Sequence, residues 1–281
     1  MLEKTFIHLP GVGLKTECAL WANGFHSWDR FCAEGCSPLP FSRRKWEKLR
    51  ACLSDSREYL SNCTPGFFAD ALPAQFLWRL YAAFRGCAAY LDIETTGLGG
   101  PNDHITTVAL YDGNTVFHYI HGQNLDRFPD DLANYKLLIT YNGSCFDLPF
   151  IRNYFGIRVD QVHIDLRFLL HSLGYKGGLK GCEKQLGLDR NELDGVDGYF
   201  AVLLWEEYAS TGNQRALETL LAYNIADAVN LETLMVKAYN MKVSETPFPE
   251  LGLPLPSPPP VEFRPDPELI VSLRGRYAIY F

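Results

Sequence analysis

Residues 90–100 read YLDIETTGLGG. A run this apolar builds the inside of a sheet, yet it carries two carboxylates, Asp92 and Glu94, one residue apart. In a strand, residues i and i+2 share a face. Asp92 and Glu94 therefore project side by side, while Leu91 and Ile93 face a core. Two carboxylates at that separation repel each other unless they are protonated or bridged by a cation. Hard oxygen ligands of this kind suit Mg2+ or Mn2+. The D-x-E spacing alone is weak evidence, because Asp266-Pro267-Glu268 repeats it near the C-terminus, where it carries no assignment.

Working outward, HITTVALYDG, NTVFHYIHG and KLLITYN follow as strand candidates, with Asp112-Gly113 as a hairpin signal between the first two. Helical patterns then dominate, over about 147–155, 166–173, 178–187, 198–210 and 213–239. Strands followed by helices predict a mixed α/β sheet covered by helices. Before residue 87 the pattern is helical throughout. Residues 244–260 hold seven of the 17 prolines and read as an extended linker or strap. The final LIVSLRGRYAIYF is apolar enough to dock as a strand or to meet a partner. The chain thus divides into a helical region 1–86, an α/β domain 87–243, and a proline-rich linker and tail 244–281.

A metal site needs more than two acids. YNGSCFDLPF places Asp147 just past a strand, at the start of a helix that Asn142 or Ser144 can cap. ETLLAYNIADAVNLETL is a helix whose apolar stripe includes Leu217, Leu220, Leu221, Ala228 and Leu231. Tyr223 and Asp227 stand one turn apart on one face of it. Asp165, where VHID passes into a helix, reads as an N-cap, with a place near the metals as the lesser alternative. Lys180 begins a helix after a glycine-rich turn; it suits either a phosphate contact or an ordinary helix surface.

Three of these segments resemble the exonuclease motifs of the DEDD superfamily, which has a ribonuclease-H-like fold. Asp92-Ile93-Glu94 matches D-x-E, Asn142 to Asp147 matches N-x-x-x-[FY]-D, and Tyr223 to Asp227 matches the Y-x-x-x-D of the tyrosine subclass. Their order along the chain agrees as well. DIETTGL, YNGSCFDLPFI and GGLKGCEKQLGL are most similar to the YprB-type ribonuclease-H-like proteins, over about residues 88–240.

The resemblance implies a metal-dependent 3′–5′ exonuclease that releases nucleoside 5′-monophosphates. It implies two divalent ions, Mg2+ or Mn2+, held by Asp92, Glu94, Asp147 and Asp227, with Tyr223 orienting the attacking water. Thr95 and Thr96, just after the first acids, are placed to touch the terminal nucleotide, Lys180 a phosphate, and Asn142 is a further nucleic-acid-binding candidate. The partner would be a DNA or RNA 3′ end. The alternatives are a nucleic-acid-binding module with weak or no activity, and a structure-specific endonuclease of the same fold.

The bulk composition is consistent with this. The 281 residues suffice for one sizeable domain and a smaller one, with 47% hydrophobic and 21% charged residues. A net charge of −7, from 33 acids against 26 bases, argues against a generally basic nucleic-acid-binding surface. It leaves room for an acidic site that needs cations before it approaches phosphate. No apolar run reaches the roughly 20 residues of a membrane span, and MLEKTFIHLPG lacks a signal-peptide core, so a cytoplasmic location is expected. The eight cysteines then default to thiols, and Cys32-x-x-x-Cys36 lacks the second close pair of a zinc site.

Near the N-terminus, LPGVGLKTECALWANGF resembles a helix-hairpin-helix element. The amides of its Gly11-Val12-Gly13 turn, with Lys15 nearby, would grip a phosphate. The same residues also fit a turn that only packs. Arg43, Arg44, Lys45, Lys48 and Arg50 form either a phosphate-facing stripe or a solvated helix face.

Overall fold

The computed structural model describes residues 1–34, 41–190, 193 and 196–277. Cys36 lies outside the described residues, as does the end of the terminal segment. Two compact units divide the chain: Met1–Cys87 with Val236–Pro254, and Ala88–Met235 with Leu255–Phe281.

In the first unit α1 (Leu14–Ala22), α2 (Trp28–Ala33), α3 (Arg43–Ser61), α4 (Pro65–Ala71) and the short α5 (Tyr81–Phe84) surround an aromatic core. Ser27 and Ser42 start α2 and α3 by accepting hydrogen bonds from the Arg30 and Lys45 backbone amides. The helical period then buries Trp46, Leu49 and Leu53 on one side of α3 and leaves Arg43, Arg44, Lys48 and Arg50 exposed. Glu17 of α1 is fully buried. It accepts from the Phe6 and Ile7 amides at 2.6 and 3.1 Å and pairs with buried Arg79 at 2.8 Å. The segment before the glycine turn is a three-residue 3-10 helix, Leu2–Lys4, rather than an α-helix, so the first arm of the expected helical hairpin is short.

The second unit is a five-stranded sheet in the order β3-β2-β1-β4-β5, with helices around it. The strands are β1 (Ala88–Thr95), β2 (Ile105–Tyr111), β3 (Val116–Ile120), β4 (Leu137–Thr140) and β5 (Val162–Asp165). β1 runs antiparallel to β2 and parallel to β4, which makes it the central strand. Between β2 and β3, Asp112 accepts from the Asn114 and Thr115 amides at 2.8 and 2.7 Å and builds the expected turn, with Gly113 at φ +93°. Ala89, Leu91 and Ile93 enter one core with Val108, Leu110, Phe128, Leu148 and Ile151. The alternation read from YLDIET therefore separates the strand's apolar residues from its acids.

The helices are α6 (Phe128–Leu132), α7 (Asp147–Phe155), α8 (Leu166–Ser172), α9 (Gly178–Gln185), α10 (Gly198–Thr211), α11 (Gln214–Ser244) and α12 (Pro267–Tyr277). The terminal segment expected as a strand is α12 instead. Pro267 opens it, Asp266 accepts from the Leu269 amide at 3.0 Å, and Ile270 and Leu273 are buried at helical spacing. Within the proline-rich stretch only Pro249–Leu251 is regular, as one 3-10 turn. Among the described residues no helix is long and apolar enough to cross a membrane.

Candidate metal centre

The central strand sets the site. In β1 the half-buried Asp92 lies opposite Ala109 and the buried Glu94 opposite Thr107, and the pairing shifts register just after Glu94. Small neighbours and a break in the ladder free the face on which the two acids stand. α11 supplies Asp227, flanked by Ala226 and Ala228 as the sequence requires for close approach. One carboxylate oxygen from each of Asp92, Glu94 and Asp227 lies within 4.8 Å of the others. Asp147, the first residue of α7, is 4% exposed, and its Oδ1 accepts from the Ile93 amide at 3.3 Å, which seats it beside the same strand. All four acids, with Tyr223, Asn142 and Lys180, line one cavity of about 690 Å3.

The loop that presents Asp147 is held in an unexpected way. Neither Asn142 nor Ser144 caps α7 with its side chain. Asp165 does the anchoring: its carboxylate accepts from the Asn142 amide at 2.8 Å, the Ser144 amide at 3.0 Å and, as the N-cap of α8, the Arg167 amide at 3.0 Å. Asn142 itself is left-handed, at φ +65°, and its side-chain oxygen accepts from Arg167. The following residue must be glycine, since a Cβ there would fall 2.1 Å from Thr140 Oγ1. Thr95 turns its hydroxyl into the backbone, donating to Gly97 O at 2.6 Å and closing the turn after β1. Gly11, Gly13 and Lys15 belong to the first unit. There the turn is exposed, Gly11 is at φ +70°, and Lys45 donates to Gly11 O at 3.2 Å.

Comparison with known families decides the lineage. The family model described as RNase_H superfamily matches residues 89–239, just over half of the chain. The chain belongs to the RNase H superfamily. No curated protein matches it. Among solved structures it is similar to the family B DNA polymerase from the hyperthermophilic archaeon Pyrobaculum calidifontis, at 15% identity and a TM-score of 0.43. That match covers 56% of this chain and 24% of the polymerase.

In this RNase H superfamily member, cations already sit among the acids. Lys180 Nζ lies 2.5 and 2.6 Å from the two carboxylate oxygens of Asp227. The Arg190 guanidinium also pairs with Asp227, and both cations lie over the Tyr223 ring, at 4.1 and 5.4 Å from its centroid. Asn224 donates to the Asp92 carboxylate at 2.7 Å and to its carbonyl at 3.1 Å. Arg190 and Asn224 were not marked by the sequence reading. Asn224 had a signal, standing between the tyrosine and the aspartate of YNIAD. Arg190 had none, because it follows α9 in a segment without periodicity.

The electrostatics follow from burial. Burial and then the Asp147 charge push the Asp92 carboxyl up to about 7. Burial likewise raises Asp147 to about 7, and burial followed by Asp92 carries Glu94 well above the carboxylate range. Burial and then Arg190 push the Lys180 ammonium down to about 7, against the pull of Glu183, Asp92 and Glu94. The Tyr223 hydroxyl is raised far above its ordinary value by burial and then by Glu94 and Asp92. Clustered acids that resist ionisation, with ammonium and guanidinium groups held on one of them, mark a pocket that is short of positive charge. The donor set fits hard divalent cations.

Proposed function

We propose that this pocket is the active centre of a metal-dependent nuclease of the DEDD type, tyrosine subclass, close to the YprB-type proteins. It acts as a 3′–5′ exonuclease on nucleic acid and releases nucleoside 5′-monophosphates. The observation that carries the reading is the convergence of Asp92, Glu94 and Asp227, from elements far apart in sequence, in a superfamily domain of nuclease type.

Asp92, Glu94, Asp147 and Asp227 would hold two divalent ions, Mg2+ or Mn2+. Such a pair supplies Lewis-acid stabilisation of both the attacking and the leaving oxygen of a phosphodiester. Tyr223 acts as a hydrogen-bond donor and not as a base, because its surroundings keep the hydroxyl protonated. That donor orients the attacking water. Asn224 fixes the Asp92 carboxylate. Lys180, on the cavity wall, supplies positive charge to a phosphate. The exposed Gly11–Gly13 turn with Lys15 and Lys45 adds a sequence-independent grip on the backbone.

The cations on Asp227 also favour a second reading, a nucleic-acid-binding module with little hydrolysis, since they neutralise one of the acids without metal. End-labelled DNA and RNA, incubated with Mn2+, Mg2+ or EDTA, separate the readings. Stepwise loss of mononucleotides from the 3′ end is expected. Internal cuts would instead assign an endonuclease, and binding without cleavage would assign the module.

A further inference from the structure

We infer that Arg190 is a phosphate-binding residue of this centre and that buried Glu183 holds it in place; the inference rests on the nuclease reading above. Arg190 follows α9, and its side chain is only 8% exposed. Its Nε lies 2.7 Å from Glu183 Oε2, and the other Glu183 oxygen accepts from Asn230 of α11 at 2.8 Å. A structural ion pair would need nothing more. A guanidinium, however, carries five N–H donors in a rigid fork.

The remaining donors of Arg190 point toward chemistry. Nη2 pairs with Asp227, and the guanidinium lies over Tyr223. Nε, Nη1 and Nη2 are all buried and none makes a well-formed hydrogen bond among the described residues; Nε and Nη2 have ion-pair contacts to Glu183 and Asp227, and Nη1 has neither. A buried donor left without an acceptor is costly, more so on a charged group. The acceptor that matches such a fork best is a carboxylate or a phosphate. Of the two carboxylates that Arg190 touches, Glu183 gives one oxygen to Asn230, and both oxygens of Asp227 are held by Lys180. Were Asp227 to hold a metal ion, Nη2 would lose that partner and, with Nη1, would be free to donate to a phosphate.

The surroundings suit a polyanion. A second cavity of about 540 Å3 is lined by Lys180, Lys184 and Arg190, with one acid, Asp189, and with Gly181, Gly187 and Leu188. It shares Lys180 with the acid-lined cavity, so three cations border the site next to four acids.

The test uses the full chain, titrated calorimetrically with Mn2+ alone and then with adenosine 5′-monophosphate in Mn2+. Arg190→Gln is expected to weaken the monophosphate by about 10- to 100-fold, the loss of one or two charge-assisted hydrogen bonds, with Mn2+ affinity kept or tightened. Arg190→Lys recovers only part, because an ammonium lacks the fork. Glu183→Gln gives a smaller loss of the same kind, because it acts through Arg190. Wild-type monophosphate affinity in folded Arg190→Gln overturns the inference, and so does a parallel loss of Mn2+ and monophosphate. If Arg190→Gln does not fold, Arg190→Lys decides, and wild-type monophosphate affinity there overturns it equally. Wild-type protein that binds neither Mn2+ nor monophosphate would refute the nuclease reading itself, and the inference with it.

Discussion

Each unit buries a carboxylate against a cation, with opposite results. Glu17 in the first unit is closed: both oxygens are engaged by Arg79, and one also takes the Phe6 and Ile7 amides. Side-chain exposures of 0% and 3% leave no approach for a ligand. The second unit gathers Asp92, Glu94, Asp147 and Asp227 around two cations and opens them into a cavity of about 690 Å3. One arrangement spends its charge on holding the chain together. The other leaves charge unbalanced, and that imbalance is what a divalent cation and a phosphate can use.

The contrast breaks most sharply at the open cluster. Asp92→Ala or Asp227→Ala should lower the hydrolysis rate by at least about a thousandfold, the several kcal/mol expected for a lost metal ligand. Calorimetric melting of metal-free Asp92→Ala should show no loss of stability, and a gain is consistent with relieved repulsion, whereas Asp227→Ala leaves Lys180 and buried Arg190 without their partner and should melt lower. Near-normal rates in either would remove the site. At the closed pair the effects invert. Glu17→Gln leaves Arg79 buried without its counter-charge and should cost about 3–5 kcal/mol by denaturant unfolding, whereas a cost under about 1 kcal/mol would place the pair among exposed ones.

Tyr223→Phe sharpens the comparison within the open site. Turnover should fall by about 10- to 100-fold, the scale of a lost positioning hydrogen bond, while Mn2+ affinity measured by titration stays unchanged. An equal loss of both would show that Tyr223 builds the metal site and does not orient water.

The smallest effect is on pH. Asp92 and Asp147 are raised from 3.8 to about 7, so their folded forms bind protons more tightly than the unfolded chain. Their contribution to stability is fully present below about pH 4 and is lost as pH rises toward 7. Lys180, lowered from 10.5 to about 7, acts with the opposite sign and regains stability above 7. The metal-free cluster is therefore least favourable near neutrality. The rise in melting temperature on adding Mn2+ should grow from pH 5 to pH 7, because bound metal must displace those protons. A metal-induced rise that is flat across this range would contradict the burial of the acids.

Much of this was legible in the sequence wherever the signal was local. The 147–155 helix was read from its own residues and is observed as Asp147–Phe155. The Asp112-Gly113 turn and the N-cap role of Asp165 were legible for the same reason. Of the two expectations for the terminal segment, docking as a strand fails over Pro267–Tyr277, because its apolar content outweighed the helix start signal of Asp266-Pro267. Capping by Asn142 or Ser144 was misassigned because the competing anchor, Asp165, lies some 20 residues away in sequence and reaches the loop only through β5.

By itself, the sequence determined which residues share a face: Asp92 with Glu94 by the two-residue period of a strand, and Tyr223 with Asp227 by the turn of a helix. Those relations need only backbone geometry. The tertiary structure decided that β1, α7 and α11 meet, that Asp165 braces the loop of Asp147, and that Lys180 and Arg190 stand on Asp227. The physical reason is that distances between segments depend on how the sheet and its helices pack, and no local period records a neighbour supplied from elsewhere in the chain.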